Sequence, residues 1–128
     1  MTPSELLTTL PNGLHDAFLR DLRLDFRRGE ARLHLEFWVG DLEAPDESLR
    51  ETRRAGILLL SGLASVTTEP PGPDHPFSDE DGLWVDGDFG GYPGDPPPPD
   101  DGLIRLWLFV QTWNARMTFT CTGLALSW

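Results

Sequence analysis

His15 and Asp16 are the residues whose types most readily carry chemistry. A histidine beside a carboxylate has the parts of a general acid/base or of a metal ligand. The pair follows a Pro11-Asn12-Gly13 turn and precedes a run of strand-like residues. Neighbouring residues on a strand point to opposite faces, so the two side chains need not cooperate. Tying down the turn by hydrogen bonds is the structural reading of the same pair. An enzyme or small-ligand pocket would need His15, Asp16 and Asn114 together, with the first strand beside a turn at 113–116.

Asp86-Gly87-Asp88, with Asp79, Glu80 and Asp81 upstream, offers alternating oxygen ligands of the kind calcium loops use. The full calcium-loop pattern with its closing glutamate is absent, so a solvated acidic loop is the expectation. No two of His15, His34 and His75 have metal-ligand spacing, and the sequence predicts neither a metal site nor a cofactor. Cys121 lies mid-strand with no histidine near it in sequence, which reads as a buried thiol rather than a nucleophile. No nucleophile elbow or glycine-rich phosphate loop is present.

The chain has 128 residues and a net charge of −11, and all ten basic residues are arginine. Without lysine it has no Schiff-base, lysine-nucleophile or phosphate-loop-lysine chemistry. Its acidity argues against nucleic acid and fits a basic protein partner or simple solubility. No signal peptide is visible and no apolar run approaches a membrane span, so a cytoplasmic protein is expected.

Alternating patterns predict the elements that must position these residues. A short helix is expected at residues 3–10. A hairpin joins 18–26 to 31–39 through Arg27-Arg28-Gly29-Glu30, with Phe18, Leu22, Leu24 and Phe26 on one face. Pairing Phe26 with Ala31 sets Asp25 opposite Arg32, although a shift of two residues keeps the same faces. Residues 41–54 read as an exposed loop with a short helix. Ile57 to Val66 reads as one strand buried on both faces, with Gly62 marking a bulge or close backbone approach. Residues 103–112 and 117–128 form the last strands, with a bulge at Gly123 where the parity of apolar residues flips.

Residues 69–102 differ in kind: of 34 residues, ten are acidic, none is arginine, and sixteen are Gly or Pro. They read as a long acidic loop, a flap outside the sheet, in which only Leu83-Trp84-Val85 offers a short strand. The fold expected is mainly β, or β-rich α+β. It is a single domain over 1–128 built on one twisted antiparallel sheet of five or six strands, half-barrel or sandwich-like, with at most short helices.

Trp38, Trp84 and Trp113 fall at the hairpin's polar face, in the acidic loop and at a turn. Tryptophans outside a core serve as binding anchors, and carboxylates around them suit a basic, partly apolar partner. The alternative is that the long loop covers Trp38 and Trp84. The arginines Arg50, Arg53 and Arg54 read as neutralising that loop.

Leu10-Pro11-Asn12-Gly13-Leu14-His15-Asp16-Ala17, Phe37-Trp38-Val39-Gly40-Asp41, Leu60-Ser61-Gly62-Leu63, Glu69-Pro70-Pro71 and Trp113-Asn114 together carry a resemblance. The chain resembles a family of small uncharacterised bacterial proteins with a P-N-G-x-H-D-A start and a W-N near the end. The stretch 93–99 stands outside it as an insertion. The opening also resembles small acidic immunity-type proteins of bacterial toxin systems. That resemblance implies a non-enzymatic module that masks a basic toxin through Trp38, Trp84, Trp113 and the carboxylates Asp79, Glu80, Asp81, Asp86 and Asp88. The competing expectations are the His15/Asp16/Asn114 pocket and a structural homo-oligomer formed through an exposed edge strand.

Overall fold

The computed structural model describes residues 1–74 and 82–128. His75, Asp79, Glu80 and Asp81 lie outside the described residues, and so does any role expected of them.

Alternation is the rule that builds the fold. The strands are β1 (Ala17–Asp25), β2 (Glu30–Trp38), β3 (Arg53–Ser61), β4 (Ser65–Thr68), β5 (Leu83–Phe89), β6 (Ile104–Val110), β7 (Ala115–Cys121) and β8 (Gly123–Ser127). They form one antiparallel sheet, not closed, in the order β4-β7-β6-β5-β1-β2-β3-β8. On β2 every second residue, from Ala31 to Phe37, is buried. The same holds for Met117, Phe119 and Cys121 on β7 and for Leu106, Leu108 and Val110 on β6. These residues join one core, so the sheet curls around a single apolar face. Each fully buried leucine there contributes about 1.5–3 kcal/mol.

The expected five or six strands are eight among the described residues, because two runs that read as single strands are each broken. Ile57 to Val66 bends at Gly62, whose φ is +58°, and Met117 to Trp128 breaks at Thr122. Each half takes its own neighbours: β3 pairs with β2 and β8, and β4 with β7. The parity flip expected at Gly123 is present, with Cys121 and Leu124 both buried, but as a break between two strands rather than the expected bulge. No second sheet packs on the first among the described residues.

The hairpin register is shifted by two residues from the expected one, placing Leu24 opposite Ala31 and Leu22 opposite Leu33. The cause is local. The Asp25 carboxylate accepts the N–H groups of Arg27 and Arg28, and Gly29, at φ +65°, donates to the Asp25 carbonyl. Phe26 therefore belongs to the turn and is 90 % exposed. An irregularity at Arg20 reverses the parity of β1, so Ala17 and Leu19 are buried instead of Phe18. Asp25 then faces Glu30, and Arg32 pairs with Glu30 rather than with Asp25.

The largest correction concerns the acidic segment. The strand expected at Leu83-Trp84-Val85 runs on to Phe89 and sits inside the sheet, between β1 and β6. Gly87 permits this, since a β carbon there would lie 2.6 Å from the Leu108 side chain and 2.8 Å from the Trp107 carbonyl. The segment is thus partly woven into the sheet and is not a flap wholly outside it.

Two short α-helices join the sheet among the described residues. Helix α1 (Pro3–Thr8) is held by a reciprocal capping box between Thr2 and Glu5, with Pro3 in its first turn. Leu6 and the following Leu10 and Leu14 drop into the core. Helix α2 (Glu47–Arg50) is a single turn capped by Asp46. No helix among the described residues is long and apolar enough to cross a membrane.

Candidate functional site

The sheet register assembles the site. Ala17 on β1 lies opposite Val85 on β5, and Val85 lies opposite Val110 on β6. All three are fully buried. The next residues along the chain flank this row: Asp16 before Ala17, Asp86 after Val85, and Gln111 after Val110. Gln111 opens a short 3-10 turn, Gln111–Trp113.

The turn before β1 fixes the other side. Gly13 has a φ of +57°, and the Asn12 amide donates to the carbonyls of Trp38 and Gly40, each at 3.0 Å. Leu14 anchors the loop in the core. His15 and Asp16 are thereby held between the end of β2 and the middle of β5.

Asp16 is not extended. Its φ is +49°, in the left-handed region, so the adjacent side chains do not diverge as they would on a strand. The His15 Nε2 stands 3.5 Å from the Asp16 Oδ2, and the His15 Nδ1 stands 2.7 Å from the Asp86 Oδ1. The Asp16 N–H donates to the same Asp86 Oδ1 at 2.9 Å. The Gln111 amide donates to the Asp86 Oδ2 at 2.6 Å and to the Asp16 Oδ1 at 3.5 Å. The outcome is an imidazole between two carboxylates, one of them fixed at both oxygens.

A surface cleft of about 440 Å³ adjoins this cluster, lined by Asp16, Trp38, Glu51, Arg53 and Trp84. The Trp38 indole N–H donates to the Arg50 carbonyl at 2.6 Å, and its ring lies 6.0 Å from that of His15. Gly40 is required here, because a β carbon would meet the Arg50 carbonyl oxygen at 1.8 Å. Arg53 donates to the Asp16 carbonyl and lies over the Trp84 ring at 4.8 Å. Trp84 also packs edge-on to Phe18.

The residues singled out in the sequence therefore divide. His15, Asp16 and Asp86 come together, and Trp38 and Trp84 line the neighbouring cleft. Among the described residues it is the segment 40–51 that bonds the Trp38 indole, through the Arg50 carbonyl. Asn114 is the left-handed cap of the 3-10 turn, with its N–H on the Gln111 carbonyl, and forms no hydrogen bond to His15 or Asp16. Trp113 is only 8 % exposed and belongs to the core, which corrects its expected place on a binding surface. Asp88 stands outside the His15–Asp16–Asp86 group, and its carboxylate accepts the Phe89 N–H. Arg50 donates to the Ala44 and Pro45 carbonyls, and Arg54 covers the Trp128 ring, so these two and Arg53 pair with no acidic loop among the described residues. Cys121 is buried, and burial pushes its thiol up.

Gln111 was not singled out by sequence, and a lone glutamine at a strand end carries no signal. The acidic segment 41–51, part of the loop with a short helix expected at 41–54, carries no functional expectation in the sequence. It carries Asp41, Glu43, Asp46, Glu47 and Glu51 and leaves Leu42 and Leu49 more than half exposed. Five carboxylates against one arginine was the available signal.

No family model matches the chain, and searches of the curated proteins and of the solved structures found no match either.

Proposed function

We propose that the protein is a cytoplasmic, non-enzymatic binding module that neutralises a basic, partly apolar protein partner, in the manner of bacterial immunity proteins. The observation that carries this reading is the surface around the cleft. Trp84, Leu42 and Leu49 are exposed large apolar side chains. Leu42 and Leu49 share the 41–51 segment with five carboxylates, and Glu51 and Asp16 line the cleft beside Trp84. Apolar anchors ringed by negative charge suit a partner that is steered by charge and held by burial. The net charge of −11 adds long-range attraction.

The test is affinity capture on the immobilised chain, with a Glu47→Arg/Glu51→Arg/Trp84→Ala variant run in parallel. The expected result is a basic protein that the wild-type chain retains and the folded variant does not. It should be released at a salt concentration on the order of 1 M, where charges are screened within about 3 Å. Equal retention by the variant, or retention indifferent to salt, would overturn the reading.

A second reading, a small-ligand or catalytic pocket, is favoured by the His15–Asp86 contact at 2.7 Å. In it Asp86 and Gln111 take the place that Asn114 held in the sequence-based pocket.

A further inference from the structure

We propose that His15, Asp16 and Asp86 form a site for a divalent first-row transition ion, with zinc as the reference case. The proposal goes beyond the partner reading, with which it shares only Asp16, and its test uses zinc alone.

One imidazole nitrogen and one oxygen from each carboxylate lie within 4.8 Å of one another. Zinc bonds of about 2.0–2.2 Å place neighbouring donors roughly 3–4 Å apart, so a small contraction brings all three onto one ion. The donors come from β5 and from the loop before β1, which is why spacing along the chain could not reveal them.

The supporting groups are those a metal site requires. A ligating carboxylate is normally held by outer hydrogen bonds. Asp86 has them on both oxygens, from the Asp16 N–H and the Gln111 amide. Asp16 is fixed through its carbonyl by Arg53.

Charge argues the same way. Elsewhere Glu36, Asp21, Glu30, Asp101 and Asp95 each face a guanidinium. Asp16 and Asp86 face none among the described residues: Arg53 bonds the Asp16 backbone rather than its carboxylate. Two carboxylates share a neighbourhood with an imidazole in a chain of net charge −11. A divalent cation relieves their repulsion.

The donor set selects the class of ion. Calcium and magnesium favour all-oxygen shells, whereas a mixed imidazole–carboxylate set suits zinc and its neighbours. Three protein ligands leave a coordination position for water or for an incoming group.

The experiment is calorimetric titration of the full chain with zinc chloride, beside His15→Gln, Asp86→Asn and the control Asp88→Asn. Wild type and Asp88→Asn should each take up one zinc per chain. His15→Gln and Asp86→Asn should bind at least about tenfold more weakly. The His15 ring resonances should shift on adding zinc, and calcium at equal concentration should not displace it. His15 is largely exposed, so His15→Gln carries the test even where Asp86→Asn loses structure. No uptake at a zinc concentration on the order of 1 mM would overturn the site. So would His15→Gln binding as wild type does, or displacement of zinc by calcium.

Discussion

The Thr122 Oγ1 lies 1.9 Å from the point where a β carbon on Gly62 would stand. The chain thus bends at Gly62 against the break between β7 and β8. The Thr122 N–H donates to the Ser61 carbonyl and the Ala64 N–H to the Thr120 carbonyl, so pairing continues across the bend. On the other side the Ser61 Oγ lies 2.2 Å from where a β carbon on Gly123 would stand.

Gly62→Ala is expected to cost about 2–3 kcal/mol, from a left-handed φ that alanine adopts poorly and from the collision with Thr122. Gly62→Ala/Thr122→Ala removes the collision alone and should recover all but about 1 kcal/mol. Urea unfolding of the three proteins decides it. Full stability in the single variant would mean that the ribbon tolerates a side chain at its bend.

Leu14 ties the site to the core. It is 1 % exposed, next to His15, and packs toward Gly87. Leu14→Ala should destabilise the chain by about 2–5 kcal/mol. It should also speed amide exchange at Asp16, whose N–H is held by Asp86. Leu42→Ala, at a position 58 % exposed, should change stability by no more than about 0.5 kcal/mol. Unaltered exchange at Asp16 would uncouple the loop from the core.

Asp101 gives a prediction in pH. The Arg105 guanidinium bonds both its oxygens, at 2.9 and 2.6 Å, and the Leu103 N–H donates to it as well. Its carboxyl is lowered from 3.8 to about 2. The folded value lies below the unfolded one, so this contribution to stability is present above about 3.8 and lost as pH falls toward 2. A carboxyl-carbon titration by NMR should show the low midpoint, and Arg105→Gln should raise it toward the ordinary range. An Asp101 midpoint that Arg105→Gln leaves in place would exclude the guanidinium as its cause.

Legibility followed the range of the forces. The hairpin turn at Gly29, the capped helix at Pro3 and the parity flip near Gly123 rest on local backbone rules, and each is where the residues put it. Alternation leaves the hairpin register open by two residues and gives the buried face of β2 correctly, but not that of β1, because the irregularity at Arg20 leaves no mark in composition. Trp113 read as an anchor because a turn was expected around it, yet the 3-10 turn directs it inward. Of the site, His15 and Asp16 stood out as types. Their convergence with Asp86 and Gln111 depends on the row Ala17–Val85–Val110, which only strand order sets. The acid-rich composition around Val85 pointed to solvent, and burial between two neighbours overrode it.

The insertion of β5 between β1 and β6 dictates the order in which the molecule can be made. The hairpin of β1 and β2 gains its second flank only when residues far downstream arrive, and β3 waits for β8, the last strand in sequence. Such distant pairings slow folding more than they weaken the product. During synthesis the early strands emerge with sticky, unsatisfied margins. Until the late strands arrive, those margins are where one chain can pair with another.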